Sequence, residues 1–380
     1  MKPTIKQYPF YLKSTVIIFG LVLLSYALSS LRAILAPIAF SLIIAILLNP
    51  LANKLQKIGL KKVLAISTAL IIAILAVLGI FYFISSQIMT FGDSLPQLKA
   101  KFNEHFLEIQ HWVATQFNVP IAKQQELINE AMSSSQALFG KTLGGALGVV
   151  GFFVLVPVYV FLLLFYKTLM LNFLHEIFAE ENAGKVSEVL GETKTAIQSY
   201  MVGLLLEALV VAALNSTALL IIGVQYAILL GVIGALLNML PYIGGIIAIA
   251  LPVLMAAVTK DGFTAPIAIV AAYTVIQFID NHVLIPFLVS SRVKINAFFS
   301  VVVVLLGGAL WGVSGMFLSI PFVAILKIIF DRLPEMKPWG RLLGDEIPTR
   351  HKGDIWKKKS EKKKSVSEKI VEESKPEGSA

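Results

Sequence analysis

Hydrophobic and polar positions alternate in blocks rather than residue by residue. Apolar runs cover Ser14–Ser30, Ala33–Leu48, Val63–Ser86, Leu143–Tyr166, Tyr200–Ile222, Val224–Ala257, Thr264–Val289 and Ala297–Phe330. Each is long enough to predict a membrane helix, since about 20 residues cross the hydrocarbon core. Unbroken runs exclude a β-barrel, whose strands alternate with period two. Ala27-Leu28-Ser29 faintly resembles a signal-peptide cleavage site, but a second span follows directly after Arg32, which favours an uncleaved helix. Two segments are polar enough to leave the bilayer. In Gln87–Thr142, Leu95, Leu98, Phe102, Phe106, Ile109, Val113 and Phe117 recur every three to four residues. In Lys167–Ser199, Val186, Leu190, Thr193 and Ile197 share one face. Both predict amphipathic helices.

Two runs are too long for a simple span. Val224–Ala257 holds 34 residues, about 51 Å of helix against a hydrocarbon core of roughly 30 Å. Its middle reads Asn238-Met239-Leu240-Pro241-Tyr242-Ile243-Gly244-Gly245. Proline removes a backbone donor and glycine loosens the helix beyond it. Freed backbone groups at membrane depth are tolerated only inside protein or beside a wet cavity. Ala297–Phe330 is interrupted by Gly307-Gly308, Gly312, Gly315 and Pro321. Discontinuous elements of this kind build solute sites in transporters.

The expected fold is therefore an all-α polytopic membrane protein of about eight transmembrane helices, with discontinuous or re-entrant elements and two amphipathic extramembrane segments. Its layout has three spans in 1–86, an outer amphipathic arm in 87–142 and a fourth span in 143–166. A cytoplasmic helical segment follows in 167–199, then spans five to eight as the transport core in 200–331, and a basic tail in 332–380.

Composition agrees. Hydrophobic residues make up 57% and charged residues 14%, against about a quarter charged in soluble domains. No cysteine is present, which removes disulfides, thiolate metal sites and cysteine nucleophiles. The five histidines lack zinc spacing, so no metal or cofactor is expected. The net charge of +9 sits beside apolar spans and reads as membrane orientation, not nucleic-acid binding. The basic leader, the Lys54–Lys62 loop and the lysine-rich tail all predict the cytoplasmic side, which places both termini there. Arg292 and Lys294 then fall on the outer side or in a re-entrant turn. Beyond Pro348 the tail has a disordered composition, and Lys357–Lys359 with Lys362–Lys364 form a basic run suited to anionic lipid.

Few ionisable residues lie inside the spans. Glu207 sits in an apolar run, and Asp280-Asn281-His282 lies between Ile279 and Val283. A charge at bilayer depth costs from about 2.5 kcal/mol upward, so such groups face a cavity or a partner. Pro286-Phe287 echoes Pro241-Tyr242 and suggests a second broken element. The candidate pathway is Asn238, Pro241, Tyr242, Gly244, Gly245, Asp280, Asn281 and Pro286, with Glu207 as a coupling carboxylate. Asn238, Tyr242, Asp280 and Asn281 offer polar contacts, while Gly244 and Gly245 permit backbone approach. Gly312-Val313-Ser314-Gly315 matches the Gly-x-Ser-Gly of rhomboid proteases, but close helix packing explains these glycines more simply, and no enzyme is expected. Three functions remain: export of a small polar solute, Na⁺/H⁺ exchange at Asp280, and a non-transporting scaffold.

Asn238-Met239-Leu240-Pro241-Tyr242-Ile243-Gly244-Gly245, Gln277-Phe278-Ile279-Asp280-Asn281, Pro286, Val293-Lys294-Ile295-Asn296 and the stretch Gly307–Pro321 resemble the autoinducer-2 exporter (AI-2E) family of bacterial transporters. The likeness covers nearly all of Lys13–Asp331. It implies a homo-oligomeric inner-membrane protein that exports a small polar molecule or exchanges monovalent cations. Many members carry His-Pro before the last span. Here that place reads Ile295-Asn296-Ala297-Phe298, so no role of that histidine carries over.

Overall fold

In a bilayer the helix satisfies its own backbone hydrogen bonds. A computed structural model describes residues 9–127, 129–130, 146–178, 183–240, 244–260, 262–289 and 295–345, and no strand occurs among them. The helices are α1 (Phe10–Ser30), α2 (Arg32–Lys57), α3 (Lys62–Phe117), α4 (Ala146–Phe165), α5 (Lys167–Ile177), α6 (Ala183–Ile222), α7 (Ala227–Asn238), α8 (Gly244–Thr259) and α9 (Thr264–Ile279). A π-helical segment, Asp280–Val289, continues α9 and holds Pro286. Then come α10 (Ala297–Trp311), α11 (Val313–Arg332) and α12 (Lys337–Leu343). Among the described residues, six helices are long and apolar enough to cross a membrane, or seven if the bent pair α4–α5 is one span. The all-α polytopic fold expected from the sequence is the one found, and the two apolar runs too long for a simple span, Val224–Ala257 and Ala297–Phe330, each fold back on themselves as helix pairs.

The first pair is α7–α8. Gly234 lies against Ala248, and a Cβ on Gly244 would run into the Leu237 carbonyl, so the two helices are antiparallel. The Asn238–Gly245 break is thus the tip of a hairpin, not a kink in one rod. The second pair is α10–α11. Gly312 adopts φ +62°, a conformation that favours glycine, and turns the chain there. Gly307 and Gly315 then meet with no room for a side chain on either. The N-terminus of α10 comes back beside the end of α12, where Asn296 donates from its side chain to Leu342 O (2.8 Å) and Gly344 O (3.0 Å).

The hairpins point in opposite directions along α6. Gly231 of α7 packs on Ser216, and Leu219, Leu230, Ala248 and Met255 share one buried cluster, so α7–α8 hangs from the Ile222 end. Arg332 pairs with Glu188 and Glu192 near the start of α6, and Leu318 packs with Tyr200, Met201 and Leu204, so α10–α11 rises from the other end. The tips meet: Met239 and Trp311 pack on the same cluster. Between them runs α9 with its π segment, antiparallel to α6, with Gly203 against the Leu288 carbonyl. A long helix plus hairpin (α6, α7–α8) is followed by a second (α9–π, α10–α11) of inverted direction, the arrangement of an inverted-topology repeat.

The other helices frame this core. Ser41 donates to Val156 O (3.2 Å) and Lys167 to Asn49 Oδ1 (3.1 Å), which sets α2 and α4 parallel. Ala45, Ala52, Ile66, Ala69, Val160 and Leu164 form their shared core with α3. The 56 residues of α3 extend about 84 Å at 1.5 Å each, so the arm expected from Gln87 onward grows from the third span without a break. Phe91 on α3 meets Tyr226 edge-on at 5.3 Å, which puts the arm's base at the Ile222 end of the core. Past the left-handed Asn118, Gln124 ties the returning chain to Gln110 O (3.1 Å). The expected tail, residues 346–380, lies outside the described residues, as do Arg292 and Lys294. Their described flanks, Val289 and Asn296, sit at the end of the core that carries Gly203, Arg332 and α12.

Candidate functional site

Asp280 is where α9 gives way to the π segment, and it is 1% exposed. Proline at 286 cannot donate to the turn before it, and a π-turn is one way to absorb that loss. Asn238, at the tip of the first hairpin, donates its Nδ2 to Asp280 Oδ2 at 2.9 Å. Gln277 donates to the same oxygen at 3.3 Å. Through this bond Asn238 clasps the hairpin tip to α9.

A small enclosed cavity of about 10 Å³ adjoins the carboxylate, lined by Asn215, Asn238, Gly245, Tyr273, Gln277 and Asp280 with apolar Val211, Gly234, Ala248 and Ile276. That is room for about one water. Three of its buried oxygens, Asp280 Oδ1, Asn215 Oδ1 and the Tyr273 hydroxyl, have no hydrogen-bond partner among the described residues. Buried polar atoms normally find one.

Of the candidates from sequence, Asn238, Gly245 and Asp280 line this cavity together. Gly244 lies one residue away at the tip and is buried against Leu237. Glu207 is 5% exposed on α6, one helical turn before Val211 of the cavity lining. Asn281 is exposed and reaches only Gln277, at 3.5 Å. Pro286 lies further along the π segment, away from the cavity lining. Pro241 and Tyr242 lie outside the described residues. His282 is exposed, donates from Nδ1 to Phe278 O at 2.9 Å and stacks on the Phe278 ring at 4.2 Å. No described hydrogen bond joins it to Ser314. Sequence reasoning passed over Asn215, Tyr273 and Gln277, because it sought ionisable groups; an amide inside an apolar run is the signal that finds two of them.

The spanning helices, the opposed hairpins and the polar pocket enclosed by α6, α7, α8 and α9 define a polytopic α-helical membrane protein. Residues 14–335 match the family model described as AI-2E family transporter, and the chain belongs to that family. Relatives agree at modest identity. The candidate transport protein YrrI of Bacillus subtilis is 25% identical over 321 residues, covering 81% of this chain and 88% of its own. The AI-2 transport protein TqsA of Escherichia coli is 23% identical over 340 residues, covering 88% and 96%. The candidate permease PerM of Escherichia coli is 26% identical over 318 residues, covering 80% and 88%.

Proposed function

We propose that this protein exports a small polar solute of the autoinducer-2 kind across the bacterial inner membrane, with both termini in the cytoplasm. The observation that carries the reading is the Asn238–Asp280 clasp, set where two hairpins from opposite faces end. Withdrawing the first tip opens the polar pocket to the α3-arm face. Withdrawing the second opens a path to the Lys54–Lys62 face. A cavity with room for one water is the closed state between the two. The AI-2 in the name of TqsA supports this class of solute.

The unpartnered oxygens favour a second reading at the same place. A carboxylate, an amide oxygen and a hydroxyl around about 10 Å³ suit a dehydrated Na⁺ that a proton replaces. Asp280 is then the exchanging group, with Glu207 the second buried carboxylate of the core.

Purified protein in liposomes tests both. Autoinducer-2 efflux and Na⁺-dependent proton movement are measured in parallel, with Asp280→Asn as the comparison. Solute flux supports the first reading and cation-driven proton flux the second. Asp280→Asn should lower the active flux on the order of a hundredfold, since it removes a buried charge that substrate binding relies on. No flux of either kind overturns both.

A further inference from the structure

We propose that Lys62, Lys167 and Lys194 form a binding site for the phosphate headgroup of an anionic phospholipid. The three lysines come from three helices. Lys62 opens α3, Lys167 opens α5, and Lys194 lies in the polar first half of α6. Lys62 Nζ donates to the Phe165 carbonyl at 2.7 Å, capping α4, and stands 5.1 Å over the Phe165 ring. Lys167 Nζ donates to Asn49 Oδ1. Those neutral acceptors leave the charge uncompensated, and none of the three lysines takes part in an ion pair among the described residues. The nearby carboxylates Glu188 and Glu192 are both occupied by Arg332. Partial burial lowers the Lys167 pKa, and the nearby charges of Lys194 and Lys62 lower it further, a cost that a phosphate beside Lys167 relieves.

The surroundings select a lipid over a free anion. The chain bends by 63° between α4 and α5, just past the end of a span. Helix α5 buries no residue, and Leu169, Met170, Phe173 and Ile177 stand exposed along one side of it. A helix that leaves a span at such an angle, apolar on one face, lies in the interfacial plane. The lysines therefore sit at headgroup depth, with an apolar ledge for acyl chains beside them. Basic pockets between helices on the cytoplasmic side hold anionic headgroups in this way. The site differs from the lysine run of the tail, which lies outside the described residues.

The test is a titration of full-length detergent-solubilised protein with fluorescent phosphatidylglycerol, with phosphatidylcholine of the same chains as reference. Wild-type protein should prefer phosphatidylglycerol. Each lysine removed should weaken that preference roughly fivefold. The triple variant K62Q/K167Q/K194Q should lose it, and K62R/K167R/K194R should keep it. Lys194 is exposed and makes no described hydrogen bond, so Lys194→Gln leaves folding intact and alone should read the fivefold loss. Unchanged preference in Lys194→Gln and in the triple variant overturns the site. So does loss of the preference when Lys357–Lys359 and Lys362–Lys364 are changed to Gln, which would place it in the tail. Full competition by millimolar inorganic phosphate would show a free-anion site and overturn the lipid assignment.

Discussion

The two hairpins share a shape and differ in what closes them. The α7–α8 tip is held to its neighbour by polar groups, Asn238 to Asp280. The α10–α11 hairpin is sealed by small residues: Gly307 on Gly315, with Ser319 donating back to the Gly315 carbonyl at 2.5 Å. Polar contacts in a buried pocket can be exchanged for those of a solute. A glycine seam has nothing to exchange. The first hairpin is thus joined to its neighbour by contacts that a bound group can replace, and the second is closed within itself.

The largest effect should come from the seam. A side chain at Gly315 meets the Gly307 backbone, which cannot swing aside as a flexible side chain would. Gly315→Leu should therefore lower stability by on the order of 3 kcal/mol, at the upper end of overpacking costs. Thermal unfolding in detergent measures it. Gly79→Leu is the control, because nothing lies within 4 Å of a Cβ there. Equal melting of the two variants would mean that the seam does not hold the second hairpin together.

A smaller effect is expected at the clasp. Asn238→Ala removes one hydrogen bond to a buried carboxylate, worth about 1.5–3 kcal/mol, and leaves Asp280 with Gln277 alone. Substrate affinity in the liposome assay should fall about tenfold or more, with little change in melting. A melting loss as large as that of Gly315→Leu, with affinity intact, would reverse the roles given to the two hairpins.

Much of this was legible in the sequence, and the failures have a common cause. Run length and charge gave the helical membrane class, and the Asn238–Gly245 interruption marked a real tip. Length counting could not tell a span from a fold-back. The difference lies in which residues touch, such as Gly234 on Ala248 and Gly307 on Gly315, and no single-helix pattern records that. For the same reason Pro286 looked like the partner of Pro241. The counterpart of the first tip is the Gly312 turn, whereas Pro286 is absorbed in a π segment that continues α9. Asp280 stood out as a charge in an apolar run. Asn215 and Tyr273 did not, because their importance comes from converging on Asp280 from other helices.

The smallest effect bears on the hairpin bases. Arg332 anchors the foot of α11 to Glu188 and Glu192 of α6. At the foot of the other hairpin, Lys260 lies near Gly223 without an ion pair among the described residues. The Arg332 side chain is 30% exposed and its partners are 55% and 44% exposed, so water screens the pairs and Arg332→Gln should cost about 1 kcal/mol or less. Its signature is local rather than global. Amide hydrogen exchange should quicken in 313–332 and stay unchanged in 244–259, and high salt should reproduce the effect in wild-type protein. Equal quickening in both hairpins would show that they loosen together, and the contrast between a tip joined to its neighbour and a hairpin closed within itself would fail.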